Sequence, residues 1–279
     1  MIALLSEPLI QRMLLVGLLV GSAAPVMGTY LVQRRMALLG DGIGHVALAG
    51  VAAGWLAGSA AGLADQDAWA IPGAVIFAIT GAILIERMRS RGTGADVVMA
   101  ILFYGGIASG VLLIGLAGGS NANLMGYLFG SISTVTWGDV WMSVGLAALI
   151  LLIGVGLRSA LFAVTHDQEF ARSTGLPVEV LNMVVAILAA ITITVAMRVV
   201  GVLLVSALMI VPVAIAQLLT RSFSRVMALA MGIGATLTLT GIWITVFYDM
   251  QPGALIVVLG VLAYVLVAGA TAMSERIRR

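Results

Sequence analysis

Apolar runs about as long as a lipid bilayer is thick follow one another along nearly the whole chain. A membrane-spanning helix needs roughly 20 consecutive, mostly apolar residues, whereas a membrane-spanning strand alternates apolar and polar residues over a shorter segment. The runs here are long and unbroken, only 9% of the residues are charged, and the mean hydropathy is +1.17. We therefore predict an all-α, polytopic transmembrane helix bundle that forms a single domain over residues 1–279.

Nine candidate spans are separated by charged or polar clusters. The sixth and seventh candidates are divided by only two residues, so a bundle of eight spans is the alternative. The nine candidates cover residues 13–32, 36–63, 69–85, 97–118, 135–157, 178–196, 199–219, 226–247 and 253–273.

Arginine is concentrated after alternate spans. Because short cytoplasmic loops carry an excess of positive charge, this pattern predicts an N-terminus outside and a C-terminus in the cytoplasm. The basic positions are Arg34, Arg35, Arg87, Arg89, Arg91, Arg158, Arg172, Arg221, Arg225, Arg276, Arg278 and Arg279. The intervening loops hold Asp65, Asp67, Asn121, Asn123 and Asp249, with Arg198 as the basic exception.

Two residue types are absent from the sequence, cysteine and lysine. Without cysteine, there are no disulfides, thiolate ligands or thiol nucleophiles. A Walker A loop needs a lysine beside the phosphates, so any ATP that drives this protein is hydrolysed by another chain. The net charge of +2 and the scattered arginines argue against a nucleic-acid partner and leave membrane lipid as the surrounding medium.

Asp41 and His45 are the sharpest chemical feature of the sequence. They stand four residues apart at the start of the second span, so on a helix they share one face. Ionisable side chains within a bilayer are costly and usually face an ion or substrate path. A carboxylate oxygen and an imidazole nitrogen suit zinc, manganese or iron(II). The alternative is that the two side chains hydrogen-bond to each other or cap the helix.

Two further aspartates begin apolar spans. Asp96 opens the fourth span and is a third candidate metal ligand, although an aspartate in this position also caps helices. For Asp139, near the start of the fifth span, we favour the cap.

Residues 159–177 contain the most polar stretch of the chain. Asp167 is placed to cap a short amphipathic helix, and Gly175 is placed to end it before Pro177. A short helix at the cytoplasmic face suits docking to a soluble partner, and a solvated loop is the alternative. His166 by itself does not make a credible metal site.

Four segments resemble the permease family of zinc, manganese and iron ABC importers. Gly40 to His45 resembles the Gly-Asp-x-x-x-His motif of that family, and residues 96–103 resemble its Asp-x-x-x-x-x-x-Phe stretch. Residues 167–178 are similar to its cytoplasmic coupling segment. The strongest match is 199–212, which resembles the family's seventh-span signature almost residue for residue.

The resemblance implies the ABC importer permease fold in a bacterial cell membrane. It implies a homodimer around a central path, cytoplasmic ABC ATPase subunits, an extracytoplasmic metal-binding protein and no permanently bound cofactor. The cargo would be a divalent metal, with zinc slightly favoured and manganese or iron open. Asp41 and His45 would contact the metal. The residues implied in coupling to the ATPase are Asp167, Glu169, Phe170, Arg172 and Gly175.

The sequence departs from the family at Gly42 and Gly44, where members often have alanine and serine. We expect these glycines to loosen the helix around the site.

Three other functions are weighed against this one. In a proton-coupled secondary transporter, Asp41 would relay protons. An ABC permease for a siderophore or cobalamin would use a wide apolar path and no ionisable pair. An intramembrane enzyme is disfavoured, because one His/Asp pair lacks a paired nucleophile or a second set of ligands.

Overall fold

The computed structural model describes residues 7–62, 66–116, 126–130, 135–248 and 250–278, and within these ranges the chain is helical, without strands. Of the outer-loop residues named above, Asp65, Asn121, Asn123 and Asp249 lie outside the described residues, as does Arg279. The helices are α1 (Pro8–Gln33), α2 (Leu39–Ala60), α3 (Ala70–Ser90), α4 (Ala95–Leu116), α5 (Trp137–Ile150), α6 (Arg158–His166), α7 (Gln168–Ser173), α8 (Val178–Val200), α9 (Val202–Leu219), α10 (Phe223–Thr245) and α11 (Pro252–Arg278). A 3₁₀ turn at Gln66–Trp69 precedes α3, and a π-helical turn at Leu151–Val155 continues α5.

Eight helices in the described ranges are long and apolar enough to cross a bilayer. They are α1 to α5, α8, α10 and α11. The seventh predicted span corresponds to α9, whose apolar core, Leu204–Leu219, is shorter. The all-α transmembrane bundle is confirmed, and the choice between eight and nine spans stays a prediction, as does the orientation of the termini.

The interior of the bundle is built around α1, α2 and α8, which are about two-thirds or more buried, at 72%, 67% and 67% of their apolar windows. Only 17% of the corresponding window of α11 is buried, so α11 lies at the periphery of the bundle. Helix α2 packs against α3, α4, α8 and α9, while α1 packs against α5, α9 and α10. The helix that carries Asp41 and His45 is therefore a central helix of the bundle, and Asp41 lies in its first turn.

Small residues bring the neighbours of α2 close to its backbone. A side chain on Gly73 of α3 would place its Cβ 2.3 Å from the carbonyl oxygen of Gly50, and one on Gly106 of α4 would lie 2.7 Å from the backbone of His45. Helices in a membrane associate through such close packing, because lipid tails are as apolar as the helices themselves. These contacts fix α4 against the face of α2 that carries the site.

Gly201 separates α8 from α9. Its φ of +91° and ψ of 149° lie in a region that only glycine adopts at low cost. A Cβ at this position would also lie 2.4 Å from the carbonyl oxygen of Leu128. The backbone near 126–129 therefore packs directly against the break, and the start of α9 is fixed in the bundle.

We expect Gly201→Ala to destabilise the protein by at least about 1–3 kcal/mol, because the backbone is strained and Leu128 blocks the added methyl group. Thermal unfolding in detergent measures the effect. Gly232→Ala in α10 is the matched control, since no atom of another described part of the chain lies within 4 Å of its Cβ position. An unchanged unfolding midpoint for Gly201→Ala would contradict this account of the helix break.

Candidate functional site

A cavity of about 410 Å³ lies between the beginnings of α2 and α4. Asp41 enters it from the first turn of α2, and Asp96 enters it from the first turn of α4. The structure therefore brings these two predicted residues to one cavity. Its lining consists of Leu38, Asp41, Asp96, Met99, Ala100, Phe103 and Tyr104.

Asp41 is half-buried and is held from a third helix. Its Oδ1 accepts a hydrogen bond from the Ser206 hydroxyl of α9. Among the hydrogen bonds of the described residues, none joins Asp41 to His45, so the bonded pair considered as an alternative above does not form here. The hydroxyl engages Oδ1, so Oδ2 is the less engaged of the two carboxylate oxygens.

His45 lies one helical turn beyond Asp41 and is only 6% exposed. Its ring packs edge-on against Phe103, with centroids 4.5 Å apart and an interplanar angle of 82°. Phe103 in turn lines the cavity, whereas His45 lies behind it. The Nδ1 atom of His45 is buried and has no hydrogen-bond partner among the described residues. A buried nitrogen in this state calls for an explanation, such as a ligand that binds there.

One copy of the chain does not close a metal site by itself. In the part of the chain that the structure describes, no group of three His, Asp or Glu side chains could hold a metal ion together. The described geometry offers Asp41 and Asp96 at one cavity and His45 beside it. Such an arrangement can bind an ion weakly and release it, which a closed four-ligand site cannot readily do.

The predicted short helix at the polar segment is confirmed as α7. The carboxylate of Asp167 accepts a hydrogen bond of 2.9 Å from the backbone N–H of Phe170, and Gly175 takes a φ of +81° where the chain turns away. Ala171 anchors the helix, being fully buried, while the Phe170 side chain is 59% exposed. Arg172 pairs with Glu179 at 3.9 Å, but both side chains are largely exposed and contribute little.

The structure places neither Asp139 nor His166 at the cavity. Asp139 and Thr136 form a reciprocal capping box at the start of α5, with the carboxylate 2.8 Å from the Thr136 backbone nitrogen, so the predicted cap is confirmed. His166 is exposed and stacks on Phe162, with centroids 5.5 Å apart.

Comparison with known proteins matches residues 6–270 to the family described as the ABC 3 transport family. The chain belongs to this family. It is 32% identical to the manganese transport system membrane protein MntC of Halalkalibacterium halodurans over 91% of this chain and 84% of that protein. It is 30% identical to the manganese import system permease protein ScaB of Streptococcus parasanguinis over 89% of this chain and 85% of that one.

Two solved structures share the fold of this ABC 3 family member. PsaBC from Streptococcus pneumoniae in complex with Fab superposes with a TM-score of 0.82 at 29% identity, covering 96% of this chain and 95% of the other. An inward-facing putative metal-chelate type ABC transporter superposes with a TM-score of 0.69 at 17% identity, over 93% and 85% of the two chains. The second match shows the fold alone.

The chain is thus the multi-pass membrane permease subunit of an ABC metal importer. Its relatives are transport subunits rather than enzymes, in agreement with the prediction. The comparisons do not favour the proton-coupled transporter or the chelate permease.

Sequence reasoning missed several side chains of the site in this ABC 3 permease. Ser206 lies inside the segment that carries the strongest family resemblance, but its hydroxyl was assigned no chemistry. The available signal was a single polar side chain within an apolar helix, since such groups seek a partner. Nothing in the sequence indicated that Tyr104 lines the cavity, because an aromatic residue within an apolar span is common.

At Gly44 the structure shows close packing rather than a loosened helix. A Cβ at this position would lie 3.0 Å from Cγ1 of Val202, so the glycine lets α9 approach α2. At Gly42 the nearest atoms, the Met99 carbonyl oxygen and Leu102 Cβ, lie 3.8 and 4.0 Å away. Of the two glycines, only Gly42 has room for an added methyl group at ordinary contact distance.

A polar cluster ties down the loop that leads into α2. Arg34 donates to Oδ1 of Asn182 in α8, while Arg89 in α3 pairs with Glu86 at 3.0 Å and approaches the sulfur of Met36 at 3.6 Å. Burial and the nearby Arg89 lower the pKa of Arg34 to about 10, opposed by Glu86. Arg34 therefore stays charged at neutral pH, and the cluster joins three helices just before the residues that lead to Asp41.

Proposed function

We propose that this permease moves divalent transition-metal ions by alternating access, with the ion passing Asp41 and His45. The observation that carries the proposal is the pair of carboxylates, Asp41 and Asp96, in one cavity of a largely apolar bundle. Ionisable groups at such a place mark an ion or substrate path. His45, with its buried and unpartnered Nδ1, adds a nitrogen ligand one turn deeper.

Manganese is the cargo that we favour. Oxygen ligands suit manganese, whereas imidazole also suits zinc and iron, and here two carboxylates accompany one histidine. MntC and ScaB, two of the relatives described above, are named for manganese transport and import. The slight preference for zinc rested on resemblance alone, so zinc becomes the second candidate and iron the third.

A second copy of the chain would complete the path. Asp96 is exposed and Tyr104 is 70% exposed at the cavity, so its wall opens outward from α4. A carboxylate that faces lipid is expensive, and the usual solution is to cover it with protein. Val97 and Ile101 on the same helix are 55% and 54% exposed and would form apolar contacts in such an interface. We infer a homodimer with the ion path between the two copies.

The remaining partners follow from the predicted orientation. With the C-terminus in the cytoplasm, the coupling segment at 159–177 faces the ATPase subunits, and an extracytoplasmic protein delivers the ion at the opposite side. Phe170, Glu169 and Arg172 are exposed on or beside α7 and would form the contact. ATP binding must then favour one conformation of the permease over the other, because only differential binding shifts an equilibrium.

Metal-resolved uptake tests this function. Cells that lack their own metal permease would express this chain with its ATPase and binding protein, and the uptake of manganese, zinc and iron would be compared. We expect uptake that is greatest for manganese and depends on the ATPase subunit. Uptake that persists without that subunit would indicate a secondary transporter, and uptake of a metal chelate alone would indicate a chelate permease. Either result contradicts the proposal.

A further inference from the structure

Ser206 lies where it can control how Asp41 binds an ion. We propose that Ser206 is a positioning residue that sets metal selectivity, because its hydroxyl donates to Oδ1 of Asp41, which orients the carboxylate and favours binding of the ion through Oδ2. The inference rests on the proposed function, since it concerns how the same carboxylate treats different cations. The hydrogen bond favours ligation through one oxygen of Asp41, because a cation that binds both oxygens would compete with the hydroxyl for Oδ1.

The hydrogen bond joins two distant parts of the chain. Ser206 and Asp41 are 165 residues apart in sequence, and Ser206 is only 3% exposed. A buried hydroxyl in an apolar helix commonly bonds to its own backbone one turn earlier, as Thr238 does to Gly234 at 2.8 Å. Ser206 instead donates across to α2. The contact is therefore part of the arrangement around Asp41 and not a local feature of α9.

Packing fixes the geometry of this contact. A Cβ on Gly40 would lie 3.0 Å from Cβ of Ser206, and one on Gly44 would lie 3.0 Å from Val202, so α9 rests directly on the face of α2 beside the site. The start of α9 is itself held by the break at Gly201. The serine hydroxyl consequently has little freedom to leave Oδ1 while the two helices stay together.

Cations differ in how many oxygens of one carboxylate they bind. Calcium takes six to eight oxygen ligands and often binds both oxygens of one carboxylate at once. A hydroxyl that donates to a carboxylate makes a strong, charge-assisted bond, and breaking it to free the second oxygen is costly. An Asp41 held in this way disfavours calcium, a hard cation that competes for the same oxygen ligands. Loss of the Ser206 hydroxyl would remove that discrimination.

The test compares Ser206→Ala with wild type in the assembled importer, measuring the KM for manganese uptake and the inhibition constant of calcium. Groups that hydrogen-bond to a metal ligand typically change metal affinity by about 10–100-fold when removed. We expect the ratio of the calcium inhibition constant to the manganese KM to fall on the order of tenfold. Ser206→Thr, which keeps the hydroxyl, should restore the ratio.

Thr238→Ala is the matched control, because it removes a buried hydroxyl whose hydrogen bond among the described residues lies within its own helix. It should leave the ratio unchanged. If Ser206→Ala fails to assemble, Ser206→Cys serves instead, since a thiol is a weak donor.

The outcomes separate the two claims. A wild-type importer that takes up no metal contradicts the proposed function. A working wild type with an unchanged ratio in Ser206→Ala, whatever its rate of uptake, contradicts the role of Ser206 alone.

Discussion

Asp41→Ala is expected to abolish metal uptake while the protein still reaches the membrane. Asp41 is the half-buried carboxylate of the cavity, and its Oδ2 is free of protein partners among the described residues. Without it, Asp96 would be the one carboxylate of the cavity lining left to compensate the charge of a divalent ion that leaves water. The loss should exceed the roughly 10–100-fold effect of removing a group that merely supports a ligand. His45→Ala should give a similar loss, because it removes the proposed nitrogen ligand.

The test compares the metal uptake of Asp41→Ala and His45→Ala with that of wild type at equal membrane abundance. Asp139→Asn is a suitable control, because Asp139 is a buried carboxylate that serves in the capping box of α5. Its loss should cost about 0.5–2 kcal/mol of stability without affecting the ion. Wild-type uptake by Asp41→Ala would show that the ion does not pass this carboxylate.

Phe170→Ala is expected to release the permease from its ATPase subunits. Phe170 is 59% exposed on α7, yet its backbone is fixed by the Asp167 cap and the helix is anchored by the buried Ala171. A rigidly presented aromatic side chain is the usual centre of an interface, and truncating one costs about 2 kcal/mol or more of binding free energy. That corresponds to a loss of affinity of roughly 30-fold.

Binding of the purified ATPase subunit to the detergent-solubilised permease measures this loss directly. Met273→Ala is the matched control, because Met273 is 64% exposed near the end of α11, which the predicted orientation places at the same membrane face. We expect the control to bind normally. Equal affinities for wild type and Phe170→Ala would mean that α7 is not the docking helix.

Features set by neighbours in sequence could be predicted from the sequence. The apolar runs specify the helices because the bilayer leaves backbone groups no other partner. Asp167, Asp139 and Gly175 act within one helical turn of their own positions, so their capping roles followed from local rules. Asp41 and His45 share a face of α2 for the same reason, since a helix places residues four apart on one side.

Features set by distant contacts could not be predicted in this way. The bond from Ser206 to Asp41 depends on how α9 lies on α2, and nothing near Ser206 in sequence specifies it. The sequence did not decide whether Asp96 is a helix cap or a metal ligand, because only the packing of α4 on α2 brings it to the cavity of Asp41. The short α9 likewise depends on the break at Gly201, whose conformation is matched by the backbone around Leu128.

Manganese accumulation in proteoliposomes tests the central claim most directly. The liposomes would contain the permease with its ATPase subunits, with the binding protein and radioactive manganese outside. The account predicts accumulation that requires ATP on the side of the ATPase subunits and that is lost in Asp41→Ala. Accumulation driven by a proton gradient without ATP, or ATP-driven accumulation that Asp41→Ala leaves intact, would contradict it.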